Sequence, residues 1–176
     1  MRTLSADLGF IAGEKPMKRL RKLVTFSLDD RKFALYVSAV QRIVRVVEVT
    51  ALPKAPEIVV GIINLQGAFI AVFDIRRRFQ LPAKEMQLSD QMIVATTVKR
   101  TVALIVDSVN DVIEIPGERI TAADQILPEL EYVEGVVKTE GGMVLIHDLE
   151  RFLSLPEEKV LDKAMEALNR DERKDG

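Results

Sequence analysis

The sequence predicts an all-β fold with short helices, laid out as two similar halves and closed by a C-terminal helix. Three observations carry that expectation. Val and Ile supply 35 of the 176 residues while aromatics are only 5% and Trp is absent, and branching at Cβ suits a side chain to the pleated surface of a sheet. Apolar and polar residues alternate in short runs bounded by Gly, Pro and Asp, the pattern of half-buried strands. Two stretches of the chain also recur in the same order.

Residues 1–22 read as a mobile arm ending in Lys15, Lys18, Arg19, Arg21 and Lys22. With no aromatics interleaved, this is a solvated basic segment rather than a lipid or nucleic-acid patch. From Leu23, LVTFSL alternates, Asp29-Asp30 supplies a turn, and KFALYV resumes the strand to make a hairpin. RIVRVVEV (42–49) is a further β-branched run, broken by Pro53 and Pro56. IVVGIINL and AFIAVF flank Gln66-Gly67, a second tight turn. Asp74 then caps a short helix over IRRRF (75–79), with Arg76, Arg77 and Arg78 on an edge facing water.

Residues 80–90 are polar, contain a proline and connect the halves. QMIVATTV, Lys99-Arg100 and TVALIV repeat the hairpin theme, and a long irregular acidic stretch follows over 116–134. GVVK and MVLI come next, separated by residues 139–142, and Asp148-Leu149-Glu150 opens another short helix. Pro156 sits in the first turn of the last helix, where Glu157 and Glu158 suit the positive end of the dipole. Val160, Leu161, Ala164, Met165 and Leu168 fall on one face and should dock on the β surface. The tail NRDERKDG is expected to fray.

The repeat aligns FALYVSAVQRIV (33–44) with VALIVDSVNDVI (102–113), and GIINLQGAFIAVFDI (61–75) with GVVKTEGGMVLIHDL (135–149). Gly61, Gly67 and Asp74 coincide with Gly135, Gly141 and Asp148. The glycines mark turns or close backbone approaches. Each half is then a small barrel of about five strands. A unit of about 60 residues hides only about 60% of its unfolded surface, so packing two together supplies the missing burial. The junction between them forms a groove, a preferred place for a binding site.

Composition narrows the chemistry. There is no Cys and one His, His147, so disulfides, thiolate nucleophiles and two-His metal sites are excluded. No glycine-rich phosphate loop occurs, and no metal-loop pattern surrounds Asp29-Asp30 or the pair Asp107/Asp111. Asp107 reads as a cap for a short helical turn, and His147 as a satisfied structural residue. No catalytic residue, cofactor site or metal site is assigned. A net charge of -2 argues against a dedicated nucleic-acid binder. No stretch approaches a membrane span and no signal peptide is evident, so a cytoplasmic protein is expected.

Four segments, LVTFSLDDRKFALYVSAVQRIV, GIINLQGAFIAVFDIRRRF, ALIVDSVNDVIEI and GVV…MVLIHDLERFL, resemble the CheW-like coupling domain of bacterial chemotaxis in order and spacing. The resemblance covers residues 23–155, with pseudo-repeated subdomains at about 23–79 and 91–155, and leaves 156–176 as helix and tail. It implies two SH3-like five-stranded β-barrels sharing a hydrophobic core. It also implies a standalone, non-enzymatic adaptor joining chemoreceptor cytoplasmic tips to the regulatory domain of the chemotaxis histidine kinase.

Carried over by position, the receptor-facing groove involves Val40 and Ile43, Arg42 between them, and the turn Asn64, Leu65, Gln66 and Gly67. Val106 and Val109, as repeat partners of Val37 and Val40, either line the opposite wall or belong to the core. Two positions depart from the family pattern: Gln66 stands where the turn usually has Arg, and Arg42 where an acid is common. Drift at a solvated surface is one reading, since an exposed ion pair is worth only about 0–1 kcal/mol. A change of partner is the other, because the planar guanidinium fork is lost. A small-barrel nucleic-acid module, resting on the basic arm and Arg76–Arg78, and a diverged scaffold for a pathway other than chemotaxis are the alternative functions.

Overall fold

The computed structural model describes residues 19–126, 128 and 131–176. The chain opens with a hairpin, β1 (Leu20–Leu28) and β2 (Arg31–Tyr36), turning at Asp29-Asp30. A 3-10 turn, Val37–Ala39, leads into β3 (Val40–Arg45). The hairpin of β4 (Val59–Leu65) and β5 (Ala68–Phe73) follows, then a 3-10 turn at Ile75–Arg77. As expected, Asp74 caps that turn, accepting from the Arg76 N–H at 3.1 Å.

The second half repeats the order with β6 (Gln91–Thr96), β7 (Thr101–Val106) and β8 (Ser108–Pro116). After them come β9 (Thr121–Ala122), the one-turn helix α1 (Ala123–Ile126), β10 (Val133–Thr139), β11 (Gly142–His147) and α2 (Leu155–Asp175).

The sheets do not follow the halves. One sheet runs β8-β1-β2-β11-β10-β9 and the other β3-β6-β7-β5-β4. The first hairpin of each half has therefore crossed into the sheet built by the other. The division at 23–79 and 91–155 describes the repeat and not the two SH3-like subdomains, each of which has five full strands, with the two-residue β9 as an extra member of the first.

Burial explains the exchange. In the β1–β2 hairpin, Leu23 and Ala34 enter a cluster with Ile115, Val137 and Ile146 inside the first sheet. The alternate residues Phe26, Leu28, Phe33 and Leu35 enter a second cluster with Phe73, Ile93 and Leu104 between the sheets. The β6–β7 hairpin does the same, Met92, Val94 and Ala103 on one side, Ile93, Ala95, Val102 and Leu104 on the other. A hairpin buried on both faces needs a near-continuous apolar run, which is what FALY and MIVA are.

Other expectations need correction. Leu20, Arg21 and Lys22 are not part of a free arm; they pair with Pro116, Ile115 and Glu114 of β8. Residues 1–18 of the expected arm lie outside the described residues. Asp148 does not open a helix. It accepts from the Glu150 N–H at 3.2 Å in a plain turn.

Helix α2 begins at Leu155 under a capping box, Ser154 and Glu157 each accepting from the other's N–H. It runs on through the segment expected to fray, with Arg173 and Lys174 favouring the negative end of its dipole. Leu161 and Ala164 are buried in the shared core, with Met165 and Leu168 packed beside them, whereas Val160 is 42% exposed and off the docked face.

His147 is structural but not satisfied. It is buried against the rings of Phe79 and Phe152, and neither ring nitrogen has a hydrogen-bond partner among the described residues. Burial pushes its pKa down from the ordinary 6.5 to about 3. The folded protein thus stays unprotonated where the unfolded chain takes up a proton, so this group's contribution to stability falls as pH drops from 6.5 towards 3. The slope is about 1.4 kcal/mol per pH unit. Chemical denaturation of a His147→Leu variant across that range should show a flatter acid limb than wild type. An unchanged limb would assign the acid sensitivity to other groups.

Candidate functional site

The β4–β5 turn is built by its sequence. Gln66 and Gly67 take φ of 53° and 86°, the two left-handed positions of a type I′ turn. The Gly67 N–H donates to Asn64 Oδ1 at 2.9 Å. Asn64 and Gly67 therefore shape the turn, and Gln66 is left with its side chain exposed.

The turn rises beside β3, across a surface depression of about 510 Å³. Arg42, Leu65 and Gln66 all line it, so three of the expected groove residues come together. Val40 does not line it and instead packs, half-buried, on the shared core. Ile43, 41% exposed, lies elsewhere on β3. Val106 is core and Val109 packs on that core, which settles their open reading against a groove wall.

The remaining lining includes Gln41, Phe69, Arg100, Thr101 and Met165, none expected from the sequence as a groove residue. Gln41 donates to the Thr96 hydroxyl and, at 3.4 Å, to Thr101 Oγ1, fixing one wall. Arg100 is tied to Asp162 of α2. Met165 brings the helix to the rim, a contribution that no local pattern in β3 or the turn foretells.

The repeated glycines resolve into two different jobs. Gly61 and Gly135 are within β4 and β10, at ladder irregularities, and mark close approaches rather than turns. A Cβ at Gly61 would sit 2.2 Å from the Thr50 carbonyl oxygen, and one at Gly135 2.8 Å from Ile120 Cγ2. In the second half's turn the left-handed residue is Gly142, φ 112°, and not Gly141.

The arginine triplet does not face water as expected. Arg76 is 5% exposed and reaches Asp29 at 2.9 Å and Asp107 at 2.6 Å. Asp107 caps no helix. It also accepts from Lys84 and from the Asp29 backbone N–H. Burial pushes the Asp107 carboxyl up, but the hydrogen bonds from Arg76, the Asp29 N–H and Lys84 outweigh it and hold its pKa below the usual carboxylate value. Arg78 binds the Phe152 carbonyl at 2.6 Å and Glu157, and its guanidinium lies 5.1 Å over the Tyr132 ring. Only Arg77 is exposed.

These arrangements hold elements together and offer a polar-rimmed surface; among the described residues, no cluster of acidic or His side chains is placed to bind a metal. The family model for the CheW-like domain matches residues 22–157. A chemotaxis protein CheW of Rhizobium meliloti (strain 1021) is 32% identical over 132 residues, covering 74% of this chain and 85% of the relative. One from Klebsiella aerogenes is 26% identical over 144 residues, covering 81% and 87%. The crystal structure of scaffolding protein TtCheW from Thermoanaerobacter tengcongensis matches with a TM-score of 0.72 at 30% identity, over 79% of this chain and 96% of that one. With a match spanning both pseudo-repeats and both exchanged hairpins, the chain belongs to the family of CheW-like domains.

Proposed function

We propose that this chain is a non-enzymatic adaptor that couples the cytoplasmic tips of chemoreceptors to the regulatory domain of a chemotaxis histidine kinase, in the cytoplasm. Its membership of a family of chemotaxis scaffolds supports the coupling role. The observation that carries the receptor-facing part is that Arg42, from β3, and Gln66, from the β4–β5 turn, line one depression. Arg42 forms no ion pair with a described residue, so its charge is available to a partner carboxylate. Gln66 offers one acceptor and two donors where a guanidinium would offer five donors. The basic triplet gives a nucleic-acid role little support, since Arg76 and Arg78 are committed to carboxylates.

Receptor tips that suit an acid at 42 and an arginine at 66 should bind this protein weakly. Arg42→Glu combined with Gln66→Arg should raise affinity for such a tip by more than the two single changes add up to. A double-mutant cycle by calorimetry measures that coupling. Wild-type binding as tight as the double variant would make both substitutions neutral drift. Co-precipitation from native lysate should recover a chemoreceptor and a histidine kinase. Recovery of partners from another signalling pathway would favour the diverged scaffold.

A further inference from the structure

The depression beside the β4–β5 turn carries charge of one sign. Its charged lining residues are Arg42, from β3, and Arg100, from the β6–β7 turn, and none of the described residues that line it is Asp or Glu. Leu65, Phe69 and Met165 supply apolar lining. Two cations beside an apolar surface are complementary to an apolar stripe flanked by carboxylates, because covering a cation without a counter-charge is costly.

The two arginines differ in what they already hold. Arg42 forms no ion pair with a described residue, whereas Arg100 is paired with Asp162 of α2. Asp162 follows the fully buried Leu161 and precedes Met165 by three residues. One turn of α2 therefore carries its anchor in the core, the counter-charge of Arg100 and the residue that reaches the depression. The Asp162 side chain is 50% exposed and that of Arg100 19%. An ion pair so open to water is weak and exchanges partners readily. The β6–β7 turn does not depend on it alone. Lys99 pairs with Glu158 one helical turn earlier, and the Val98 N–H donates to Glu150 at 3.1 Å, so the turn stays seated when Arg100 releases Asp162.

We propose that Asp162 is a built-in competitor for the depression, holding Arg100 until a partner helix with carboxylates beside its apolar stripe displaces it. Arg42 takes a second carboxylate of that helix, and Met165, whose unbranched thioether adapts to the surface it meets, packs on the stripe. A helix flanked by neutral residues leaves Arg100 on Asp162 and gains nothing from it, so the pair selects for acidic partners. This rests on the depression being the receptor-facing surface and names the chemistry of what fills it.

Two soluble receptor-tip helical hairpins, one with Glu flanking its apolar stripe and one with those residues changed to Gln, serve as probes in calorimetric titrations of the full chain. Wild type should bind the Glu hairpin more tightly, by a margin that shrinks with added salt. Asp162→Asn should raise affinity for the Glu hairpin about two- to fivefold, the span of an exposed ion pair, and leave the Gln hairpin unchanged. Arg100→Gln should lower affinity for the Glu hairpin at least about fivefold, and adding Asp162→Asn to it should then have no effect. Met165→Ala should weaken both hairpins and Met165→Leu should not. If the ion pair served only to seat α2, Asp162→Asn would loosen the helix and weaken both hairpins. Unchanged or lowered affinity of Asp162→Asn for the Glu hairpin would overturn the proposal, as would a wild type that binds neither hairpin. The coupling role is decided separately, by the proteins recovered in the co-precipitation.

Discussion

Arg76→Met is expected to destabilise the protein by about 3–5 kcal/mol, the cost of stranding charges that had a buried partner. Its guanidinium joins three places distant in sequence: Asp29 in the β1–β2 turn, Asp107 at the β7–β8 junction, and the Pro82 carbonyl at 3.4 Å. Asp29 and Asp107 sit at strand ends of the two sheets and Pro82 in the segment linking the halves, so the change loosens the clasp between them. Lys84 stays at 2.9 Å from both Asp107 and Asp90, and neutralises only part of the exposed deficit. The pH dependence supplies an independent sign. Because the folded pKa of Asp107 is lowered, its contribution is present above the unfolded value and lost as pH falls through the folded one. Arg76→Met should therefore lose stability mainly at neutral pH and differ less from wild type in acid. Urea titrations at two pH values measure both effects. A loss below about 1 kcal/mol at neutral pH, the scale of an exposed ion pair, would show that the cluster is not a structural clasp.

The second large effect is expected from α2. Leu161 is fully buried in the core shared by the sheets, and Leu161→Ala should cost about 2–5 kcal/mol, since the surrounding strands cannot close over the cavity. Deleting 155–176 should cost more. It also removes Ala164, Met165 and Leu168 from that core and the ion pairs of Glu157 with Arg78, Glu158 with Lys99 and Asp162 with Arg100. The docking contacts are spread over three turns of helix, so truncation after Asp162 should leave an intermediate stability. A denaturation midpoint unchanged by the full deletion would mean that the helix is not part of the folded unit.

The strands, turns and the repeat were legible because each rests on local chemistry: alternation, turn residues and β-branching. Strand partners were not, because a face pattern says which side of FALY is buried and nothing about which edge it joins. The arginine triplet shows a second limit. A 3-10 turn has three residues per turn, so consecutive side chains point about 120° apart. Arg76, Arg77 and Arg78 accordingly go inward, outward and across to Phe152 and Glu157. Periodicity had no means of ranking them, since the residues are chemically identical. At the candidate site, Gln66 and Arg42 were found through their place in a resemblance. Phe69, Arg100 and Met165 joined them only because the fold brings β5, the β6–β7 turn and α2 to the same rim.

The exchange of hairpins between the sheets also fixes when this protein can exist during its own synthesis. β1 must wait for β8, pairing Leu20 with Pro116, and β2 must wait for β11, pairing Phe33 with Leu145. A nascent chain that has emerged only as far as Arg78 holds a hairpin whose Leu23 and Ala34 face lacks its whole cover and whose other face lacks the part supplied by β6 and β7. Neither half has a complete sheet to fold into before the other arrives. Assembly is therefore late, long-range in sequence and all-or-none, with contacts of the kind that slow folding. Folding during synthesis is therefore expected to wait until β8 and β11 have emerged, which leaves unpaired strand edges exposed in the growing chain.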